Sequence, residues 1–320
     1  MARNYTVKLT PADEGGTNAH SRIDYASELN EKQFAAVTAP PGATLVIAGA
    51  GSGKTRTLTY RVAYLLDNGV RPANILLLTF TNKAAHEMLE RVGELVPHDL
   101  RELWGGTFHS VGNRILRQHA REIGWEPGFT IMDREDQKEM LSSTIEESGI
   151  DTKAVRFPKP DVLADLFSLS INTEESIEDL VARRYPYFRH LIPQIEAIQE
   201  RYERRKRASN SMDFDDLLEK PLRLFHQRKD ILRGYQEKFE WILVDEYQDT
   251  NRLQAEFIDL LAAPQNNLMV VGDDAQSIYS WRGADFRNIL EFPERYAGAR
   301  KFVIETNYRS VPEILTLANA

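Results

Sequence analysis

The chain contains no cysteine. Disulfides and thiolate metal sites are therefore excluded. No apolar run approaches the length that a membrane span needs, and no N-terminal stretch has the form of a secretory signal. The expected location is cytoplasmic, with no membrane partner. There is no internal repeat and no long low-complexity segment. Positive charge is also short: 40 Lys and Arg stand against 48 Asp and Glu, a formal net charge of −8. Taken alone, that balance argues mildly against a nucleic-acid partner. Local charge along a groove matters more than the total, and here the charge is uneven. Arg201-Tyr-Glu-Arg-Arg-Lys-Arg207 is strongly basic, and reads as a solvated helix face before it reads as a nucleic-acid track. Asp213, Asp215 and Asp216 form one acidic cluster, and Asp245, Glu246 and Asp249 another.

What is present is a 320-residue chain, long enough for two domains, with 42% hydrophobic and 28% charged residues. The stretch Ala48 to Thr55, AGAGSGKT, organises it. A short apolar run from Thr44 leads in, and a helix-friendly run from Arg56 to Leu66 leads out. Strand, glycine-rich loop and helix form the context that a phosphate-binding loop needs. Ala50, Gly51, Ser52 and Gly53 would turn backbone N–H groups toward an anion at a helix N-terminus. Lys54 can reach the β- and γ-phosphates, and the Thr55 hydroxyl can ligand Mg²⁺. The strict motif has Gly where Ala48 stands.

Residues 1 to about 26 are polar and aperiodic and are read as a mobile tail. A helix capped by Asn30 follows. Strands are expected at Ile75–Phe80, Trp241–Val244, Leu268–Val271 and Lys301–Ile304, each followed by turn or helix signals. Trp104–Ser110 reads as a short strand or turn before a helix from Val111 to about Arg121. This strand-then-helix order predicts a parallel sheet with helices on both faces. Between about 113 and 209 the apolar spacing is helical, over Gln137–Glu147, Val162–Ser170, Ile177–Arg183 and Ile192–Arg207. Pro158, Pro160, Pro186 and Pro193 punctuate it. A mostly helical insertion therefore interrupts the α/β domain, whose pattern resumes at Met212–Leu218.

Asp245-Glu246 ends an apolar strand, and ligands bind at that edge of a doubly wound sheet. Asp245 is assigned to the metal and Glu246 to the general base that deprotonates an attacking water. Gln276 follows another strand end. Its amide suits a γ-phosphate or the attacking water, and equally suits a turn.

The ordered set AGAGSGKT, TFTNKAAHEM, GTFHS, MDFDDLL, VDEYQDTN, VVGDDAQSIYSWRGA and ETNYRS resembles the superfamily 1A DNA helicases of the UvrD/PcrA/Rep type, over about residues 28–320. That family couples ATP hydrolysis to 3′-to-5′ movement on single-stranded DNA, with RecA-like domains that carry helical insertions. The resemblance implies ATP and Mg²⁺ as cofactors. It implies single-stranded DNA or a single/double-strand junction as substrate, and DNA-repair proteins as partners. It also implies roles for particular residues. Gln33 reads the adenine edge, Arg56 lies beside the nucleotide, and Gln276 senses the γ-phosphate. Tyr308 stacks on adenine and Arg309 is an arginine finger. Phe80, Thr81, Asn82, His109, Tyr279, Trp281 and Arg282 touch DNA. On their residues alone, Phe80 reads as a core strand residue and His109 as a cap or core histidine.

The implied organisation is a RecA-like P-loop domain of 27–112 and 210–300, a helical insertion of 113–209, and the start of a second RecA-like domain at 301–320. Ala275 stands where the family often has a third acidic residue. The family's later motifs are missing, so an N-terminal fragment or an unusually short homologue is expected. The rival reading is a nucleotide and single-stranded DNA binding module without productive turnover. A P-loop kinase or small-molecule NTPase leaves GTFHS and SWRGA unexplained. No carboxylate cluster outside the motor motifs supports a nuclease.

Overall fold

The computed structural model describes residues 23–151, 155–278, 283–311 and 313–314. Six strands make one sheet: β1 (Thr44–Ala48), β2 (Ile75–Thr79), β3 (Trp104–Thr107), β6 (Trp241–Val244), β7 (Leu268–Gly272) and β8 (Arg300–Ile304). Their order is β3-β2-β6-β7-β1-β8, and every pairing is parallel. The strands are apolar throughout because both faces are covered. Along β2, Ile75 and Leu77 enter one core, and Leu76 and Leu78 enter the other. β6 and β7 alternate in the same way.

One face is covered by α1 (Tyr25–Glu28), α2 (Glu31–Val37), α3 (Lys54–Asp67) and α4 (Asn82–Leu95). The other is covered by α5 (Phe108–His119) and, after an excursion, by α10 (Asp216–Gln227), α11 (Lys229–Lys238) and α12 (Arg252–Ala262). This is the α/β, RecA-like arrangement the motif order predicts. Among the described residues no helix is long and apolar enough to cross a membrane.

The excursion holds α6 (Arg134–Glu147), α7 (Pro160–Thr173), α8 (Ile177–Arg184) and α9 (Ile192–Ala208). It has a hydrophobic core of its own around Leu141, Leu163, Phe167, Ile195 and Ile198. The prolines open elements here rather than break them. Pro160 and Pro193 lie in the first turns of α7 and α9, where a missing N–H leaves no bond unmade. Two short strands, β4 (Thr130–Ile131) and β5 (Ser211–Met212), pair in parallel at the base of the excursion. The α/β pattern expected to resume at Met212 thus begins with a strand outside the main sheet.

Two details adjust the expected boundaries. Tyr25, within the stretch read as a tail, is buried against Tyr60 and Tyr64, and its hydroxyl donates to Asp67 at 2.6 Å. β8, expected to start a second domain, pairs with β1 from Thr44↔Arg300 to Ala48↔Ile304 and closes the edge of the first sheet.

Candidate functional site

The carboxyl ends of β1, β6, β7 and β8 open on one edge of the sheet, where the strand order reverses about β1. From β1 the chain enters the glycine-rich loop. Gly51 and Gly53 both have positive φ, +76° and +90°. A side chain at Gly51 would lie 2.6 Å from Arg309 Cβ, and one at Gly53 would lie 2.7 Å from Gln33 Nε2. Only glycine fits those positions. Ser52 turns its hydroxyl back to donate to the Gly49 carbonyl at 2.7 Å. Among the described residues no side chain caps α3, which leaves its N-terminal amides available to an anion.

Lys54 Nζ lies 2.9 Å from Glu246 Oε2 and donates to Gln276 Oε1 at 3.1 Å. The ammonium expected to hold phosphate, the base candidate and the sensor candidate thus meet at one point. Glu246 sits in the left-handed region at φ +49°, a strained conformation for a residue with a Cβ. Such strain concentrates at functional sites. Asp245 is buried beside it, and Glu246 N donates to Asp245 Oδ1 at 3.0 Å. Burial, and then the neighbouring Glu246 carboxylate, push Asp245 up to about 7. A buried carboxylate beside a second carboxylate is the electrostatic setting that a cation relieves. Thr55 and Asp245 offer hard oxygen donors, which suit Mg²⁺. That ion takes one or two protein ligands and completes its shell with phosphate oxygens and water. Among the described residues no group of three or more acidic or histidine side chains forms a self-sufficient metal cage.

Gln33 is buried, forms a capping box with Asn30, and donates from Nε2 to the Ser52 carbonyl at 3.1 Å. It is therefore fixed against the loop. Tyr308 is exposed over the same edge; its hydroxyl accepts from Asn30 Nδ2 at 2.7 Å, and its N–H donates to the Gly51 carbonyl at 2.9 Å. Arg309 follows it and is exposed. Arg56 turns toward α1, where it bonds the Glu28 carbonyl and carboxylate and lies over the Tyr60 ring.

Three residues not singled out in the sequence complete the site. Asn307 Nδ2 donates to the Ala50 carbonyl at 2.7 Å, and its Oδ1 accepts from the N–H groups of Arg309 and Ser310. It ties the segment after β8 to the glycine-rich loop. Gln248 is buried between the ends of β6 and β7. Phe214 is 54% exposed, and its ring meets His109 edge-on at 6.1 Å. An exposed Phe beside buried aspartates was the available signal in MDFDDLL. Asn307 and Gln248 gave none, because the contacts that fix each, Ala50 for Asn307 and Asp273 for Gln248, are distant in sequence.

Phe80, Thr81 and Asn82 follow β2, with Thr81 capping α4 by accepting from Ala84 N. Phe80 and His109 share with Phe214 the wall of a cavity of about 720 Å³. It lies between the sheet domain and the helical excursion, which contributes Arg134, Leu169 and Tyr185. Burial holds the His109 imidazole below its ordinary value, so it is neutral near pH 7. Tyr279, Trp281 and Arg282 lie outside the described residues.

The basic run on α9 divides. Arg201 and Arg205 reach Glu147 at the surface, whereas Lys206 is fully buried. Lys206 lies 2.9 Å from Asp213 and 2.8 Å from Asp216. Asp215 accepts from Ser168 and Asn172, and Asn172 in turn accepts from Asn251, the cap of α12. The acidic cluster of MDFDDLL therefore fastens the excursion to the sheet domain.

A family model described as the UvrD/REP helicase N-terminal domain matches residues 29–297. The chain is 44% identical over 292 residues to the ATP-dependent DNA helicase PcrA of Staphylococcus epidermidis, covering 91% of this chain and 39% of that protein. It is 43% identical over 294 residues to the ATP-dependent DNA helicase PcrA of Staphylococcus aureus, covering 92% and 40%. The chain thus spans about two fifths of the length of these curated relatives.

Proposed function

This chain belongs to the UvrD/REP helicase family, and from that premise we propose that it binds ATP with Mg²⁺ and single-stranded DNA as the motor half of a 3′-to-5′ helicase. One observation carries the nucleotide reading. Lys54, Glu246 and Gln276, from three strand ends far apart in sequence, converge within 3.1 Å contacts at the edge where a doubly wound sheet binds ligands.

In this reading the loop amides and Lys54 hold the phosphates, and Gln33 and Tyr308 hold the adenine. Thr55 and Asp245 hold Mg²⁺, which neutralises charge on the β- and γ-phosphate oxygens when bound. Glu246 orients the attacking water and takes its proton. Gln276 contacts the γ-phosphate or that water. Arg309 supplies a fixed guanidinium for the charge that spreads over the transferring oxygens.

For DNA, Phe80, His109 and Phe214 give stacking surfaces; Tyr279, Trp281 and Arg282 are DNA contacts by family resemblance alone. Stacking on aromatic rings tolerates any sequence, as a stepping motor requires. Thr81 and Asn82, exposed at the start of α4, suit contacts to the sugar-phosphate backbone. The RecA-like domain is drawn from 27–112 and 210–300 and takes in the rest of α5 and β8 as well, so the helical insertion within 113–209 starts after α5 and a second domain would start only after Ile304.

The test is ATP hydrolysis by the 320-residue chain, with and without a single-stranded oligonucleotide, beside Lys54→Ala. DNA-stimulated hydrolysis that disappears in Lys54→Ala supports a coupled motor half. Nucleotide and DNA binding without turnover supports a binding module whose coupling resides elsewhere. Absence of nucleotide binding refutes both.

A further inference from the structure

Five residues close a hydrogen-bonded ring at the sheet edge. Lys54 Nζ contacts Glu246 Oε2 and donates to Gln276 Oε1. Gln276 Nε2 donates to the Asp273 carboxylate. Asp273 N donates to Gln248 Oε1 at 3.0 Å. Gln248 Nε2 donates to Glu246 Oε2 at 2.9 Å and to Asp249 Oδ2 at 3.2 Å. The orientation of the Gln248 amide is dictated by its partners. A backbone N–H can only donate, so the amide oxygen faces Asp273 and the NH₂ faces the two carboxylates.

Gln248 has almost no freedom. It is 1% exposed. A Cβ at Gly272 would stand 2.5 Å from Gln248 Oε1, so the glycine that ends β7 is what admits the amide. Glu246, by contrast, has a strained backbone and a half-exposed carboxylate. Among the described residues, two side chains contact its Oε2: Lys54 and Gln248. Lys54 is the residue a polyphosphate would recruit. Once it turns to phosphate oxygens, Gln248 is the side chain left holding that oxygen.

We infer that Gln248 is a positioning residue that aims the Glu246 carboxylate in the nucleotide-bound state and links it to the β7 turn carrying Asp273 and Gln276. This rests on the reading of Glu246 as the general base. Gln248 is buried with its amide committed to protein partners, so in this reading it is not itself a nucleotide contact. Its loss therefore leaves ground-state binding alone and removes only what depends on the aim of Glu246.

The experiment compares binding of ADP–Mg²⁺ with binding of ADP–Mg²⁺ plus aluminium fluoride, a mimic of the transferring phosphoryl group. It uses the full chain, Gln248→Met and Gln248→Glu, with thermal melting to verify folding. Methionine keeps the length and removes all three side-chain hydrogen bonds. Glutamate keeps the acceptor for Asp273 N and sets a charge against Glu246, so it serves if the methionine variant does not fold. The expected result for Gln248→Met is ADP affinity within twofold of the parent, with the extra affinity gained from aluminium fluoride reduced at least tenfold. For Gln248→Glu, whose added charge weakens ADP itself, the fluoride-dependent gain over its own ADP affinity is what should fall tenfold. A fluoride-dependent gain preserved within twofold in the variants overturns the inference, as does an equal loss of ADP affinity in Gln248→Met. A parent chain that binds ADP but gains nothing from fluoride would instead refute the turnover reading, and the inference with it.

Discussion

Lys54 Nζ and Glu246 Oε2 stand 2.9 Å apart, so the ammonium expected to hold phosphate and the carboxylate expected to take a proton neutralise each other before nucleotide arrives. The two substitutions therefore separate. Lys54→Ala removes a phosphate contact and should weaken nucleotide binding. Glu246→Gln removes an anion beside the phosphate site and frees Lys54, so nucleotide affinity should hold or rise. Its single-turnover hydrolysis should fall on the order of 10²–10⁴-fold, the usual contribution of a general base. Turnover unchanged by Glu246→Gln would sink the base assignment.

Gly112 on α5 packs directly under α10. A Cβ there would lie far inside van der Waals contact with the Leu217 carbonyl, and backbone cannot swing aside as a side chain can. These helices join the sequence before the excursion to the sequence after it. Gly112→Ala should cost about 1–3 kcal/mol by overpacking, read as a shift in the denaturant midpoint. Gly128→Ala, where an added Cβ meets nothing within 4 Å, is the comparison and should shift it little. Equal midpoints would show that the two helices separate freely.

The sheet was legible because parallel strands buried on both faces leave unbroken apolar runs, as at Ile75–Thr79 and Leu268–Gly272. The loop was legible because its glycines and Lys-Thr are contiguous. β5 was not, since two residues carry no period. Gln248 and Asn307 were not, since each is defined by a partner on another strand. The basic run of α9 misled in one respect. Periodicity places Lys206 on a helix but cannot say that Asp213 and Asp216 cover it. The role of Tyr25 was hidden by the polar composition of the residues before it.

Phe214 offers a test of the proposed nucleic-acid face. Its exposed ring bears little of the core, so Phe214→Ala should keep the melting temperature. Affinity for a single-stranded oligonucleotide should fall by about 1–3 kcal/mol, the worth of one stacked base. The adjoining His109 should not impose a pH dependence between 6.5 and 8. Burial lowers its pKa, so it is already neutral there. An NMR titration should place its midpoint below 6.5. The unfolded state then binds the extra proton first, so this group's contribution to stability is full above 6.5 and declines as pH falls. A midpoint above 6.5 would mean an unrecognised anionic partner.

Lys206 sets the last prediction. Its ammonium is buried with Asp213, Asp216 and Glu203, and the paired carboxylates raise it well above its ordinary value despite the burial. The same ammonium helps hold Asp213 below the ordinary carboxylate range. Tyr202 donates to Asp213 at 2.8 Å, and Lys220 lies 3.2 Å from Asp216. In the parent, the Asp213 contribution to stability is present above the ordinary carboxylate pKa and is lost only as pH falls through its depressed value. Among the described residues, Lys206→Met leaves Asp213 with no ion pair and Asp216 with Lys220 alone. It should cost about 3–5 kcal/mol at neutral pH, the penalty for orphaning a buried charge. The pH dependence should also steepen. In the parent, burial and then Asp213 push Asp216 up to about 7, so it already favours its protonated form when folded. With Asp213 joining it in the variant, the variant should regain more stability than the parent as pH drops from 7 toward 5. Parallel melting curves at pH 7 and pH 5 decide it, and a variant whose deficit is the same at both would show that the aspartates find other partners.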